Sequence, residues 1–305
     1  MNEVIAKKKL KDWKGELFYW CLIALPLLQF LIMYVYVNFN SITMAFQTYD
    51  GITDKWSWVG FQQFEFVFRD IAKPGVLQVA IKNSLVSWLL GYIGLPFGLL
   101  FAYYIYKKFP GGCFFRVILF LPSILSMNIL MIIFKFYAND FLPTIINSIF
   151  KTSLPGFLSD PNYQFPSIMI FNIFMGFGLS VLMYTGAMTT ISQSVIEAGQ
   201  LDGVNALQEF GLLVLPQIVG TVSVFIVTGI AGIFTNQMNL YSLYFEAAEM
   251  HLYTVGYYLY RNVQQASSYA EYPYYAALGL LITAVIAPIV FGVRALFKKL
   301  DPMGE

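Results

Sequence analysis

The chain has 305 residues, of which 58% are hydrophobic and 11% charged, with a mean hydropathy of +0.65, whereas soluble domains carry about 25% charged side chains. So apolar a chain belongs in a bilayer and is not a disordered regulator. Eighteen Lys+Arg against 17 Asp+Glu, a net charge of +1, leave no basic excess for nucleic-acid phosphates, and two cysteines are too few for a disulfide-stapled secreted domain.

Six apolar stretches reach the roughly 20 residues that a helix needs to cross about 30 Å of hydrocarbon. They run over 17–37, 84–106, 117–134, 167–188, 212–235 and 274–292. The first follows Lys7, Lys8, Lys9, Lys11 and Lys14. It exceeds the about 7–15 residues of a secretion-signal core and lacks a small-x-small exit, so it reads as a retained span. The expected fold class is all-α: a polytopic membrane protein with six transmembrane helices. Residues 1–16 and 298–305 are expected as cytoplasmic termini around a permease domain over 17–297.

Lys107, Lys108 and Arg116 after span two, and Arg294, Lys298 and Lys299 after span six, share a side with the basic N-terminus if both termini are cytoplasmic. The opposite loops are longer and sparser in Lys and Arg. Trp13, Trp20, Tyr103 to Tyr106 and Tyr272 to Tyr275 fall where amphipathic rings favour the headgroup layer. As bounded, no span core contains an Asp, Glu, Lys, Arg or His, which disfavours a proton-coupled pump. Sodium coupling through backbone carbonyls stays open. Cys21 and Cys113 read as unpaired thiols. His251 is the one histidine; without HExxH, a cysteine cluster, a Walker A loop or a GxSxG elbow, neither a metal site nor catalytic machinery is expected.

The loop between spans four and five, residues 192–211, contains Glu197, Asp202 and Glu209 and no Lys or Arg. It reads as two short helices around an Asp202-Gly203 turn, in which Gly203 supplies a positive φ. Ser194 with Glu197, and more loosely Asn205 with Gln208, have capping-box spacing. The loop is thus expected as a preformed acidic protrusion for a basic-rimmed partner.

Glu197-Ala198-Gly199, three residues, Gly203, nine residues and Leu213-x-Leu215-Pro216 resemble the EAA loop of ABC importer permeases, written EAA-x3-G-x9-I-x-L-P. Asp202 and Phe210 match its carbohydrate-uptake branch. Val59-Gly60-Phe61-x-x-Phe64 with Lys82-Asn83-Ser84-Leu85, Arg116-x-x-Leu119-Phe120-Leu121-Pro122-Ser123, and Tyr253 to Tyr260 with Tyr274 to Gly279 extend the resemblance over nearly the whole chain. The maltose-permease-like subtype fits best. The chain departs from the pattern in Gly199 for the second alanine, Ser192 for a usual proline, and Glu249-Met-His-Leu for a common Gly-Gly-Pro loop.

The resemblance implies a type I ABC importer permease fold in the plasma membrane of a prokaryote. It implies a second homologous permease subunit, two copies of a cytoplasmic ABC ATPase that bind the ATP and Mg, an extracellular solute-binding protein, and an oligosaccharide substrate, with no cofactor or metal on this chain and no nucleic-acid partner. Glu197, Ala198, Gly199, Asp202 and Gly203 would be the ATPase-coupling residues; alternatively Glu197 only caps its own helix.

In span four, Asn172, Gly176, Ser180 and Tyr184 recur every fourth residue, and in span five Gln217, Thr221, Thr228, Gly232 and Asn236 form a comparable small and polar stripe. Such stripes line a sugar path, with Phe234 as a stacking ring, or pack helices through small residues. Counted from Glu197, Gly176 and Asn236 resemble substrate positions of maltose-type relatives. The outer loop over 240–272 meets a solute-binding protein or is a solvated face. The competing function is a self-contained secondary carrier or channel for a neutral polar solute; a membrane-embedded enzyme lacks a nucleophile, base or metal set.

Overall fold

The computed structural model describes residues 13–300. They form helices almost throughout: α1 (Trp13–Gln29), α2 (Val37–Met44), α3 (Gln62–Ala72), α4 (Val76–Tyr106), α5 (Gly112–Ile124), α6 (Met127–Phe136), α7 (Leu142–Phe150), α8 (Pro161–Thr189), α9 (Gln193–Leu201), α10 (Ala206–Gln208), α11 (Leu215–Gln217), α12 (Val219–Ala231), α13 (Leu240–Tyr244), α14 (Val255–Gln265) and α15 (Tyr272–Leu300). Single π-helical turns at Phe30–Tyr36, Tyr137–Phe141 and Glu209–Val214 join α1 to α2, α6 to α7 and α10 to α11. The chain divides into two compact units, residues up to 66 with 268–280, and 67–267 with the remainder.

In the first unit, the segment after α2 contains the only β-strands among the described residues. β1 (Gln47–Asp50) and β2 (Lys55–Trp58) pair antiparallel, Gln47 opposite Trp58 and Asp50 opposite Lys55. The Asp50 carboxylate accepts from Ile52 N at 2.9 Å and Thr53 Oγ1 at 2.8 Å, which fixes the turn. Those bonds, the backbone donor first, hold its carboxyl below the usual carboxylate range. Phe46 stacks on Trp58 and packs against Phe61 and Phe64.

Five helical stretches are long and apolar enough to cross a membrane, and a bent sixth joins them: Gly15–Met44, Val76–Tyr106, Met127–Phe150, Pro161–Thr189, Tyr272–Lys299, and Ala206–Gln217 with Val219–Ala231. The expected straight third span over 117–134 is corrected. Leu125, with φ −83° and ψ 147°, is extended. Pro122 brings no amide hydrogen to the last turn before it, and Ser126 Oγ then caps α6 by accepting from Ile129 N at 3.4 Å. The apolar run therefore holds a helix end and a fresh start. The crossing helix extends to Phe150 and includes Lys135 and Asp140, so the absence of charge from all six spans does not hold. The fifth span is bent by 71° at Ile218, two residues after Pro216.

Two larger cores, beside a small cluster of Ile230, Ile233 and Ile286, organise the second unit. One gathers Ile168 and Met169 of α8 with Leu240, Leu252, Val255 and Tyr257. The expected outer loop is thus largely a packed element through residue 257. The other joins Leu99, Ala102 and Tyr103 of α4 to Val181, Tyr184 and Met188 of α8, Ile196 of α9, and Val214 and Ile218.

Candidate functional site

The loop over 192–211 begins three residues after α8 ends. Ile196 is 2% exposed and Gly199 is buried, so α9 turns these two inward and leaves Glu197, Ala198 and Asp202 on its outer side. A Cβ on Gly199 would lie 2.4 Å from Leu213 Cδ1 and 3.2 Å from Val204 Cγ2. An alanine here, as in the resembled pattern, requires the Leu213 methyl to turn aside.

The turn after α9 is a Schellman cap. Gly203 N donates to Gln200 O at 3.1 Å and Val204 N to Gly199 O at 3.2 Å, with Gly203 at φ +78°. The second piece starts on a full capping box: Gln208 N donates to Asn205 Oδ1 and Asn205 N to Gln208 Oε1, both at 2.9 Å. The expected Ser194–Glu197 box is absent, because Ser194 lies inside α9 and Ser192 is its N-cap, without a side-chain bond to the backbone. Glu197 does not cap its helix; it is exposed. Beside the turn, Leu201 is 90% and Leu207 76% exposed.

Glu209 corrects the reading of an acidic protrusion. It is buried, and its carboxylate accepts from Lys107 Nζ at 2.9 and 3.1 Å, Tyr103 OH at 3.0 Å and Gln200 Nε2 at 3.2 Å. The motif gave no signal for it, since position 209 falls among the nine unspecified residues.

The stripes of spans four and five meet across a cavity of about 620 Å³. Asn172, Gly176, Ser180 and Tyr184 from α8, Thr228 from α12, and Gly232 and Asn236 beyond it all line this one space. No charged side chain does. Gln217 and Thr221 do not line it, and Phe234 packs instead against the core. The rings around the cavity are Trp88, Tyr92, Phe177, Tyr184 and Phe225.

The lining groups differ in what they offer. Asn172 is largely committed: Nδ2 donates to Ile168 O at 2.8 Å and Met238 O at 3.0 Å, and Oδ1 accepts from Asn239 Nδ2 at 2.8 Å. It locks α8 to the segment after α12. Asn236 uses only Oδ1, which accepts from Met238 N at 2.8 Å, and keeps its amide donors. Ser180 donates to Phe177 O at 2.9 Å and Thr228 to Val224 O, so both oxygens remain acceptors. The wall from α4, with Ser87, Trp88, Gly91 and Tyr92, is the part that sequence reasoning missed. Its signal was two aromatics in mid-span, away from the headgroup layer. Trp88 Nε1 is buried beside Tyr92 without a hydrogen-bond partner in good geometry, and Tyr92 OH donates to Ile226 O at 2.6 Å.

Residues 94–303 match the family described as binding-protein-dependent transport system inner membrane component. The chain belongs to this family. Within the same class, the multiple sugar-binding transport system permease protein MsmF of Streptococcus mutans is 24% identical over 217 residues, 70% of this chain and 73% of that protein. Protein LplB of Bacillus subtilis is 25% identical over 301 residues, 93% and 89% of the two chains. A crystal structure of a bacterial alginate ABC transporter, in complex with alginate pentasaccharide-bound periplasmic protein, contains a chain that superposes with TM-score 0.77 at 22% identity, covering 96% of this chain and 99% of that one. The likeness establishes the permease fold for this inner membrane component.

Proposed function

We infer that the chain is the membrane-spanning subunit of an ATP-driven importer that takes up oligosaccharides handed over by an extracellular solute-binding protein. The carrying observation is a shared scaffold: α8 and α12, which wall the cavity, are joined through the loop of Glu197, Ala198, Gly199, Asp202 and Gly203. A second permease subunit completes the passage; two copies of a cytoplasmic ATPase bind the ATP and Mg, and one of them meets the exposed side of α9 with Leu201 and Leu207. An exposed apolar pair beside carboxylates suits a partner groove with an apolar floor and a basic rim.

The cavity lies within the about 300–1,000 Å³ of small-molecule sites. Its uncharged amides, hydroxyls and rings suit a hydroxyl-rich neutral solute, with sugar faces stacked on aromatics. The sugar-related relative and the periplasmic protein of the alginate transporter support the substrate class and the handover. The test is purification of the complex through a tag on this chain, followed by ATP-driven uptake into proteoliposomes of labelled maltotriose and of a labelled uronic-acid trisaccharide. An ATPase that co-purifies, and is lost with Glu197→Lys or Gly203→Trp, is the expected result, together with uptake of the neutral probe that Gly176→Trp abolishes. Unchanged ATPase association in both loop variants overturns the coupling assignment. Unchanged uptake in Gly176→Trp overturns the path.

A further inference from the structure

We propose that the Lys107–Glu209 pair is the strut through which movement of the loop over 192–211 reaches α4 and the cavity wall. The proposal rests on the reading that this loop meets an ATPase. Glu209 is the one charged side chain that is buried among the described residues, at 3% exposure. Its two oxygens take bonds from three residues in two places, Tyr103 and Lys107 at the end of α4 and Gln200 on α9, while Glu209 itself stands on the piece that leads into the fifth span.

Apolar contacts such as that of Ile196 are non-directional and let helices slide. Charge-assisted hydrogen bonds fix distance and angle. Burying a carboxylate, here against a Lys107 side chain that stays 23% exposed, is costly and is a poor route to stability alone, so its use here points to a fixed register between elements. The register links opposite ends of one route. Gln200 follows Glu197 on the helix that faces the partner, and α4 runs from Lys107 back to Tyr92, Gly91 and Trp88 at the cavity. Neither Lys107 nor Glu209 lies on the exposed side of α9, so they act as positioning residues and do not touch substrate or ATPase.

The experiment uses the purified complex with Cys21→Ser, Cys113→Ser and Thr228→Cys in this chain, and follows maleimide labelling of the cavity thiol with and without ATP. With the strut intact, ATP changes the labelling rate about tenfold. Lys107→Met or the nearly isosteric Glu209→Gln removes this response while ATP hydrolysis stays within about twofold. The exchange Lys107→Glu with Glu209→Lys restores the response, an effect that a merely structural role does not predict. An ATP response retained in both single variants overturns the strut, as does its loss without rescue alongside a proportional loss of hydrolysis. A complex without ATPase when the strut is intact overturns the reading of the loop and the proposal with it.

Discussion

Gly203 is the residue on which the local argument is sharpest. Apart from Asp202, Val204 and the glycine itself, no atom lies within 4 Å of where its Cβ would stand, so side-chain bulk meets no packed neighbour; the strain comes from φ +78°. A left-handed conformation costs an L residue about 1–2 kcal/mol, and Asn tolerates it better than Ala. Gly203→Ala should therefore raise hydrogen exchange at the Val204 amide, which closes on Gly199 O, by roughly fivefold or more. Gly203→Asn should raise it less. Equal exchange in both variants would show that φ does not set the cost. Gly199 differs: its limit is contact with a terminal methyl of Leu213, which can turn away. This glycine answers to packing, and Gly203 to backbone conformation.

At the scale of elements, the segments visible in the sequence were those whose signal is local. Five of the six apolar runs, the Asp202-Gly203 turn and the Asn205–Gln208 box each depend on a few neighbouring residues, and each is present, whereas the third run, over 117–134, is split between two helices. The break at Leu125 was hidden because apolar residues continue on both sides of it, and hydropathy counts composition without noticing Pro122 and Ser126 as a stop and a start. The hairpin over 47–58 was hidden for a related reason: each strand has only four residues, too few for the alternation in Lys55 to Trp58 to stand out, and its pairing is held by a side-chain-capped turn and a cluster of rings. Glu209 was misread because its partners are about a hundred residues away on α4. Asn172, Gly176, Ser180 and Tyr184 come together because a four-residue spacing maps to one face of α8, and Thr228, with Gly232 and Asn236 beyond the end of α12, meets them across the cavity, while the α4 wall, which shares no motif with them, could be added only in three dimensions. The box also gives a test of independence between the two helical pieces. Asn205→Ala removes a cap worth about 1 kcal/mol, so the Gln208 amide should exchange faster while the α9 amides, closed by their own Schellman cap, stay unchanged. Faster exchange throughout α9 would mean that the two pieces open as one.

For the whole molecule, the expected direction through the membrane follows from the distribution of Lys and Arg. Lys107 is bound to Glu209, so on the side expected to be cytoplasmic the free basic groups between spans two and three reduce to Lys108 and Arg116, joined by Arg294, Lys298 and Lys299 near the other end. The rule that orients spans counts Lys and Arg near their ends and gives little weight to acids, so the paired Lys107 still contributes during insertion. Two natural features make the outcome measurable. Cys113 is a free, exposed thiol at the start of α5, and Ile52, 96% exposed in the hairpin turn, stands on a loop expected on the other side of the membrane. In a Cys21→Ser chain, a membrane-impermeant maleimide should label Cys113 in inverted vesicles and not in intact cells. With Ile52→Cys in a chain that also has Cys113→Ser, the pattern should reverse. Labelling of Cys113 from outside would place α9 on the extracellular face, where no cytoplasmic ATPase could reach Glu197, and the coupling reading would fail together with the orientation.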